Sequence, residues 1–170
     1  ATWGIDRMMG FQIVDDCYLE QEDYDDFIRD PSHYLMTKVY PRRHKKMAGL
    51  AKMDFSNFVE FGHYASMAQF ADPEVRESLL TLMAAGDQAN KWLDGQGLMA
   101  ATALEYQTPL GCILGQNAPY DMLGDNLRGF LELPMDLEEC PDKVLATLDI
   151  LTDWAIAGVE NVAAAGMKYC

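Results

Sequence analysis

The sequence is poor in positive charge and has no long apolar run. It holds 13 Lys and Arg residues against 27 Asp and Glu residues, a formal net charge of −14. Such an excess of negative charge repels phosphate backbones, which argues against a nucleic-acid partner. No stretch reaches the roughly eighteen apolar residues of a membrane-spanning helix. The first residues also lack the basic and apolar regions of a secretory signal. We therefore expect a cytoplasmic protein without a membrane partner.

Cysteine is scarce and scattered. Cys17, Cys112, Cys140 and Cys170 show no Cys-x-x-Cys spacing and have no histidine at ligand distance. This pattern argues against a local zinc site and against a secreted disulfide framework, so we expect free thiols and no metal site within the chain. With 170 residues, of which 49% are hydrophobic, residues 1–170 can form one globular domain without an internal boundary.

The first quarter of the chain carries helix start signals and two charge clusters. An acidic run at 20–26 suits the positive end of a helix dipole. Asp30 followed by Pro31 is typical of a capped helix start, and Pro41 should break or kink the helix that follows. The basic residues at 42–46 either receive the carboxylates of an acidic ligand or pair with the acidic run on the surface. We favour the second interpretation.

Apolar residues at three- and four-residue steps predict two longer helices. The first covers 73–93 and should end at the glycines of 95–97. The apolar segment 98–105 is either a strand or a helix. The second long helix begins at Pro141 and should end at Gly166.

The stretch 110–129 is the most informative part of the sequence. Residues 110–115 form a short apolar run bounded by glycines, which predicts a buried strand. In a parallel α/β protein, polar residues just past the carboxyl end of a strand mark the expected site. Asp121, Asp125 and Arg128 follow at steps of four and three residues. They either position a polar substrate or cap the next helix.

Five short motifs follow one another along the chain. They are Asp30-Pro31-Ser32-His33, Pro41-Arg42, Asn117-Ala118-Pro119-Tyr120-Asp121, Asp125-Asn126-Leu127-Arg128-Gly129 and Pro141-Asp142-Lys143-Val144-Leu145. Their order and spacing resemble the uroporphyrinogen decarboxylase superfamily, which also contains corrinoid-dependent methyltransferases. The resemblance covers about residues 10–170 and implies an α/β fold. The chain would be the middle portion, predominantly helical with few strands, of a (β/α)8 TIM-type barrel roughly twice its length.

A single βα unit agrees with such a portion. The strand at 110–115 and the helix at 141–165 cannot close a parallel sheet by themselves, because the strand would keep unpaired edges and the helix an uncovered apolar face. We therefore expect the remainder of the barrel, as further segments or as a second chain, to be a partner. The chain alone is expected to be inactive.

The resemblance implies two chemistries. Decarboxylases of the superfamily use no metal and no prosthetic group, and one of their catalytic residues is a Tyr five positions after the aromatic residue of the third motif. Asp125 occupies that position here. Its charge and shorter reach favour corrinoid-dependent methyl transfer slightly over porphyrinogen decarboxylation by a carboxy-lyase. Asp125 is then the catalytic candidate, and the substrate-binding candidates are Asn117, Tyr120, Asp121 and Arg128.

The same resemblance implies which cofactors and partners to expect. No cofactor is expected within this chain, while the methyltransferase branch implies a corrinoid and a zinc in the full-length protein. The partners would be a tetrapyrrole or a corrinoid protein, and further copies of the chain in a homo-oligomer. Two other hypotheses stay open: a catalytically inactive binding module of the same fold, and a helical interaction protein whose aromatic segment 55–70 faces a partner.

Overall fold

The computed structural model describes residues 17–107 and 117–164, and within these ranges the chain is helical. The predicted strand at 110–115 and the predicted helix end at Gly166 lie outside the described residues. The α-helices are α1 (Tyr24–Arg29), α2 (Pro31–Tyr34), α3 (Tyr40–Arg43), α4 (Asn57–Phe61), α5 (His63–Met67), α6 (Pro73–Glu105), α7 (Pro119–Leu123), α8 (Glu132–Glu139) and α9 (Pro141–Ala164). Tighter 3₁₀ turns cover Gln21–Asp23, Lys45–Lys52 and Ala68–Ala71, and wider π-helical turns cover Leu35–Val39 and Gly124–Arg128.

The α/β fold class, with its TIM-type barrel portion, is wrong for the described residues, because they contain no strand. The ambiguous segment 98–105 belongs to α6. Its Leu, Met, Ala and Glu residues are strong helix formers, and no β-branched run or proline interrupts them. The described part of the chain is therefore a helical protein.

Helix α6 also continues through the glycines at 95–97, where we expected it to end. A glycine inside a helix costs about 1 kcal/mol relative to alanine, and this cost is small against the propensity of a 33-residue helix. Glycine ends a helix reliably only where the backbone turns left-handed. Such a turn occurs at Gly62, with φ of 80°, and it divides the aromatic stretch 54–71 into α4 and α5.

Two predicted helix starts are confirmed. The Asp30 side chain accepts a hydrogen bond from the His33 amide at 2.9 Å, and Pro31 begins α2. Helix α9 begins at Pro141, and its Val144 and Leu151 side chains are buried. Pro41 disrupts the helix less than expected. A π-helical turn precedes α3, and the helix ends two residues later at Arg43. The wider turn accommodates a residue that lacks an amide hydrogen.

The core lies where α1 and α2 meet α7, α8 and α9. Its buried apolar members are Tyr18, Leu19, Tyr24, Phe27, Tyr34, Val39, Leu123, Leu127, Leu133, Val144 and Leu151. The rings of Phe27 and Tyr34 meet edge to face at 5.7 Å. Each fully buried side chain of this size contributes about 1.5–3 kcal/mol through removal of apolar surface from water. The core thus joins the first and last described parts of the chain.

A second contact joins the turn Lys45–Lys52 to the start of α6. Gly49 lies against the backbone at Glu74 so closely that a Cβ atom would overlap the Glu74 carbonyl. The Gly49 amide donates a hydrogen bond to the Ser78 hydroxyl at 3.0 Å. That hydroxyl lies 2.8 Å from the Glu74 carbonyl and 3.1 Å from the Lys46 carbonyl, and its single hydrogen can serve either. This contact uses the first two turns of α6 and leaves the rest of that helix to extend away.

Candidate functional site

The most constrained polar site surrounds residues 17–20, a non-helical segment that lies between α2–α3 and α7–α8. The amides of Tyr18 and Leu19 both donate to the carbonyl of Leu127, at 2.7 and 2.8 Å. Leu127 lies in the π-helical turn that precedes Gly129. Gly129 has φ of 94°, a conformation that favours glycine. The chain therefore reverses at Gly129 and presents Leu127 and Arg128 to the segment.

The first polar cluster, here called the Arg128 cluster, consists of Cys17, Tyr24, Arg128 and Asp136. Arg128 contacts the Asp136 carboxylate through both Nε and Nη2, and the Nη2 to Oδ1 distance is 3.0 Å. The Tyr24 hydroxyl donates to the same carboxylate at 2.8 Å. The remaining nitrogen of Arg128 lies 3.0 Å from the Cys17 Sγ and 3.5 Å from the Leu19 carbonyl. This bidentate ion pair is buried, with Asp136 only 1% exposed.

The second polar cluster, the Arg42 cluster, consists of Asp23, Tyr34 and Arg42. Arg42 Nη1 donates to Asp23 at 2.6 Å and to the Tyr18 carbonyl at 2.7 Å. The Tyr34 hydroxyl lies 3.0 Å from Asp23 and 3.1 Å from the same carbonyl. The Arg42 side chain is 28% exposed, so this pair is more accessible to water than the first. The favoured interpretation of the basic residues at 42–46, pairing with the acidic run, is confirmed for Arg42.

The two clusters bind consecutive carbonyls of one segment. Arg42 holds the Tyr18 carbonyl and Arg128 holds the Leu19 carbonyl, while both amides are taken by Leu127. A guanidinium can satisfy several acceptors at once because its five donors lie in a rigid plane. The arrangement therefore satisfies a stretch of backbone that pairs with no strand among the described residues, and it positions this segment rather than presenting an open charge to a ligand.

The pKa shifts of the side chains in both clusters agree with a role in positioning residues 17–20. Burial raises the pKa of Asp136, but hydrogen bonds from Arg128 and Tyr24 outweigh it and leave that pKa below its usual range. The same balance holds for Asp23: burial raises its pKa, and hydrogen bonds from Arg42 and Tyr34 bring it below the usual range. Burial followed by the bond to Asp136 raises the pKa of Tyr24. Both carboxylates are thus ionised, and Tyr24 keeps its proton, at neutral pH.

The residues predicted as a substrate site differ in their exposure. Asn117, Asp121 and Asp125 are exposed, and Tyr120 is half-buried against the core. Arg128 is 8% exposed and is held by Asp136 rather than by Asp121 or Asp125.

Sequence reasoning missed Asp136, Tyr24 and Tyr34 as members of a polar site. The spacing of eight residues between Arg128 and Asp136 crosses the reversal at Gly129, so no helical periodicity connects them. Tyr24 is a buried member of the apolar core, and its hydroxyl also donates a hydrogen bond to Asp136. A buried Tyr usually finds such a partner, and that rule was the one available signal.

Within residues 17–107 and 117–164, no group of three or more His, Cys, Asp or Glu side chains could hold a metal ion. Cys17 and Cys140 are free thiols, as expected, while Cys112 and Cys170 lie outside the described ranges. Two surface hollows occur elsewhere. One of about 220 Å³ lies beside Lys46 and Ser78, and one of about 380 Å³ lies beside Gln21 and Lys143. Neither includes Asp121, Asp125 or Arg128 in its lining.

None of the described helices is both long enough and apolar enough to cross a membrane. Comparison with known proteins found no matching family model, no matching curated protein and no matching solved structure.

Proposed function

We propose that this chain is part of a cytoplasmic enzyme of the uroporphyrinogen decarboxylase superfamily and that it acts on a tetrapyrrole-linked substrate. Corrinoid-dependent methyl transfer is the favoured chemistry, with porphyrinogen decarboxylation as the alternative. The proposal concerns a helical part of such an enzyme. The order of the five sequence motifs is the observation that carries it.

The positions of the motif residues support the proposal. Asp30 caps α2, and Arg42 and Arg128 hold the Tyr18 and Leu19 carbonyls. Pro141 begins α9, which packs against α7. Residues far apart in sequence thus serve one assembled unit, as expected if a family retains them for the same architecture.

In this proposal the two arginines and the exposed carboxylates have different roles. Arg128 is committed to Asp136, Cys17 and Leu19, so its contribution is to position the turn that contains Asp125. Asp125 is the catalytic candidate, and Asp121, four residues earlier, joins Asn117 and Tyr120 in contacting the substrate. Both carboxylates are exposed and free to accept hydrogen bonds from a polar ligand. The described residues supply no metal ligand set, so a zinc would be held by other parts of the enzyme.

Titration of the intact enzyme that contains this chain with cobalamin and, separately and without oxygen, with coproporphyrinogen tests the proposal. The methyltransferase hypothesis predicts saturable binding of cobalamin, seen as a change in its visible absorbance. The decarboxylase hypothesis predicts binding of the porphyrinogen. Loss of a charge-assisted hydrogen bond costs about 1.5–3 kcal/mol. The Asp125→Asn and Asp121→Asn variants should therefore weaken binding roughly tenfold or more.

Asp149→Asn is the matched control, because Asp149 is an exposed carboxylate on α9 that belongs to no motif. It should leave the affinity unchanged. Binding of neither tetrapyrrole, or equal loss of affinity in the Asp149 and Asp125 variants, would contradict the proposal.

A second candidate function rests on the exposed aromatic residues of α4 and α5. Phe61 is 67% exposed and Tyr64 is 90% exposed, although the stretch is as rich in aromatics as a core. Large exposed apolar patches commonly mark interaction surfaces. This surface favours the hypothesis of a helical interaction protein. A Phe61→Ser, Tyr64→Ser variant that loses a protein partner but keeps tetrapyrrole affinity would support it. Retention of every partner would exclude it.

A further inference from the structure

Most of helix α6 extends beyond the parts of the chain that pack against its start. Val75 and Ser78 are buried against the turn Lys45–Lys52 and its neighbours. From Met83 onward the helix has five large apolar side chains that are exposed, and they are Met83, Trp92, Leu93, Leu98 and Met99. At 1.5 Å per residue, residues 83–105 form about 34 Å of helix. A helix that is apolar on several sides normally has a further surface against it.

One face of α6 is exposed among the described residues from Leu80 to Leu98 and has an unusual composition. Leu80, Ala84, Asp87, Lys91, Asp94 and Leu98 recur at alternating four- and three-residue steps, which places them on one side of the helix. At 100° per residue this side points away from Val75 and Ser78. All six residues of the face are exposed. We call them the α6 seam.

The charges of the α6 seam are self-complementary in one arrangement. Consider two α6 helices that pair antiparallel with their Ala89 residues at the same height along the helix axes. Ala89 then marks the centre of the pair, with Asp87 two residues before it and Lys91 two residues after it. Asp87 of each copy then faces the partner's Lys91. In the same register Leu80, nine residues before Ala89, faces the partner's Leu98, nine residues after it. Two reciprocal ion pairs and two Leu–Leu contacts thus arise from a single register.

We propose that α6 pairs antiparallel with α6 of a second copy of this chain through the α6 seam. The seam carries a net charge of −1, from Asp87, Lys91 and Asp94, within a chain of net charge −14. A second copy therefore meets less repulsion at the α6 seam than the net charge of the whole chain would produce. Within the described residues neither Asp87 nor Lys91 forms an ion pair with another residue, so both are available. This inference does not depend on the proposed function.

Sedimentation velocity of the full chain over a dilution series tests the pairing. The wild-type chain should pass from monomer to dimer as its concentration rises. Asp87→Lys places two lysines on each seam, and Lys91→Asp places three acids there. Each variant alone should associate roughly tenfold more weakly or worse, because like charges then face each other. An equimolar mixture of the two variants should dimerise again, since the lysines of one copy face the acids of the other.

The mixture separates pairing between copies from helix stabilisation within one copy. Both variants lose the Asp87–Lys91 spacing inside their own helix, so an effect within one chain cannot be rescued by mixing. Lys45→Asp is the charge-matched control, because it makes the same change on an exposed residue outside α6, and it should leave the dimer intact. Circular dichroism checks that the variants stay helical. A wild-type chain that is monomeric throughout, a dimer that survives Lys91→Asp, or a mixture that stays monomeric would overturn the proposal.

Discussion

The side chains around residues 17–20 and those on the outer part of α6 differ in how far they make contacts within the chain. Around residues 17–20, one buried ion pair, one partly exposed ion pair and a continuous apolar core use contacts made within the chain. Along α6, Leu98 is 69% exposed and Asp87 and Lys91 have no ion pair within the described residues. The first region is specified by its own sequence. The second exposes apolar and charged side chains that are not covered by the described residues.

The comparison also shows where charge matters. A buried ion pair adds little net stability over an apolar replacement, yet its rupture is costly because one charge is left without a partner. An exposed charge on α6 behaves differently. It changes the free energy of folding little by itself, and its effect on association depends on the charges of the surface that it contacts. The Arg128 cluster should therefore dominate folding stability, and the α6 seam should dominate association.

The largest effect is expected from Arg128→Ala. This change leaves Asp136 buried without its bidentate partner, so we expect the free energy of unfolding to fall by about 3–5 kcal/mol. Urea unfolding followed by circular dichroism measures the loss. Arg29→Ala is the control, because the Arg29 side chain is 75% exposed in its pair with Asp26, and it should cost no more than about 0.5 kcal/mol. A similar small loss in both variants would remove the distinction between buried and exposed pairs.

A smaller effect is expected from acid. The folded-state pKa values of Asp136 and Asp23 lie below those of the unfolded chain. Their contribution to stability is therefore complete above the unfolded value of about 3.9 and is lost as the pH falls below it toward the folded values. Unfolding measured between pH 5 and 2 should show a steep loss of stability that is shallower in Asp23→Asn. An identical pH dependence in the variant would show that Asp23 is not held by Arg42 in solution.

The smallest effect is expected from Leu98→Ala at concentrations where the chain is monomeric. Because Leu98 is exposed, its truncation should change the free energy of unfolding by no more than about 0.5 kcal/mol. Leu151→Ala is the comparison, since Leu151 is 2% exposed and such a buried change costs about 2–5 kcal/mol. Thermal or urea unfolding of the two variants measures the difference. Equal losses would mean that Leu98 packs against part of the same chain.

Local signals in the sequence predicted local structure well. The Asp30 cap and the Pro31 and Pro141 helix starts depend on side chains within three or four residues, so they can be read without knowing the fold. The end of the first long helix was wrong because Gly95 stops a helix only if the backbone turns left-handed there, and nearby residues do not determine that. The α/β fold class was inferred from one apolar run and a family resemblance, and the described residues lack the strands it requires.

The polar site could be predicted only in part. Arg42 was expected to pair with the acidic run because both clusters are dense and opposite in charge. Arg128 was expected to serve a substrate site with Asp121 and Asp125, its neighbours in sequence. Its partner, Asp136, becomes adjacent only after the chain reverses at Gly129. Contacts that depend on such a reversal are not encoded in residue spacing.

Amide hydrogen exchange tests most directly whether the two regions differ as described. In a dilute monomeric sample, we expect the amides of α1 and the first half of α9 to exchange only through unfolding of the whole core. Residues 84–105 of α6 should exchange by local fraying, orders of magnitude faster, and should slow as the concentration rises and the α6 seam is covered. If residues 84–105 were as protected as α9 at the lowest concentration, the helix would have a partner within its own chain. The contrast between the two regions would then be wrong.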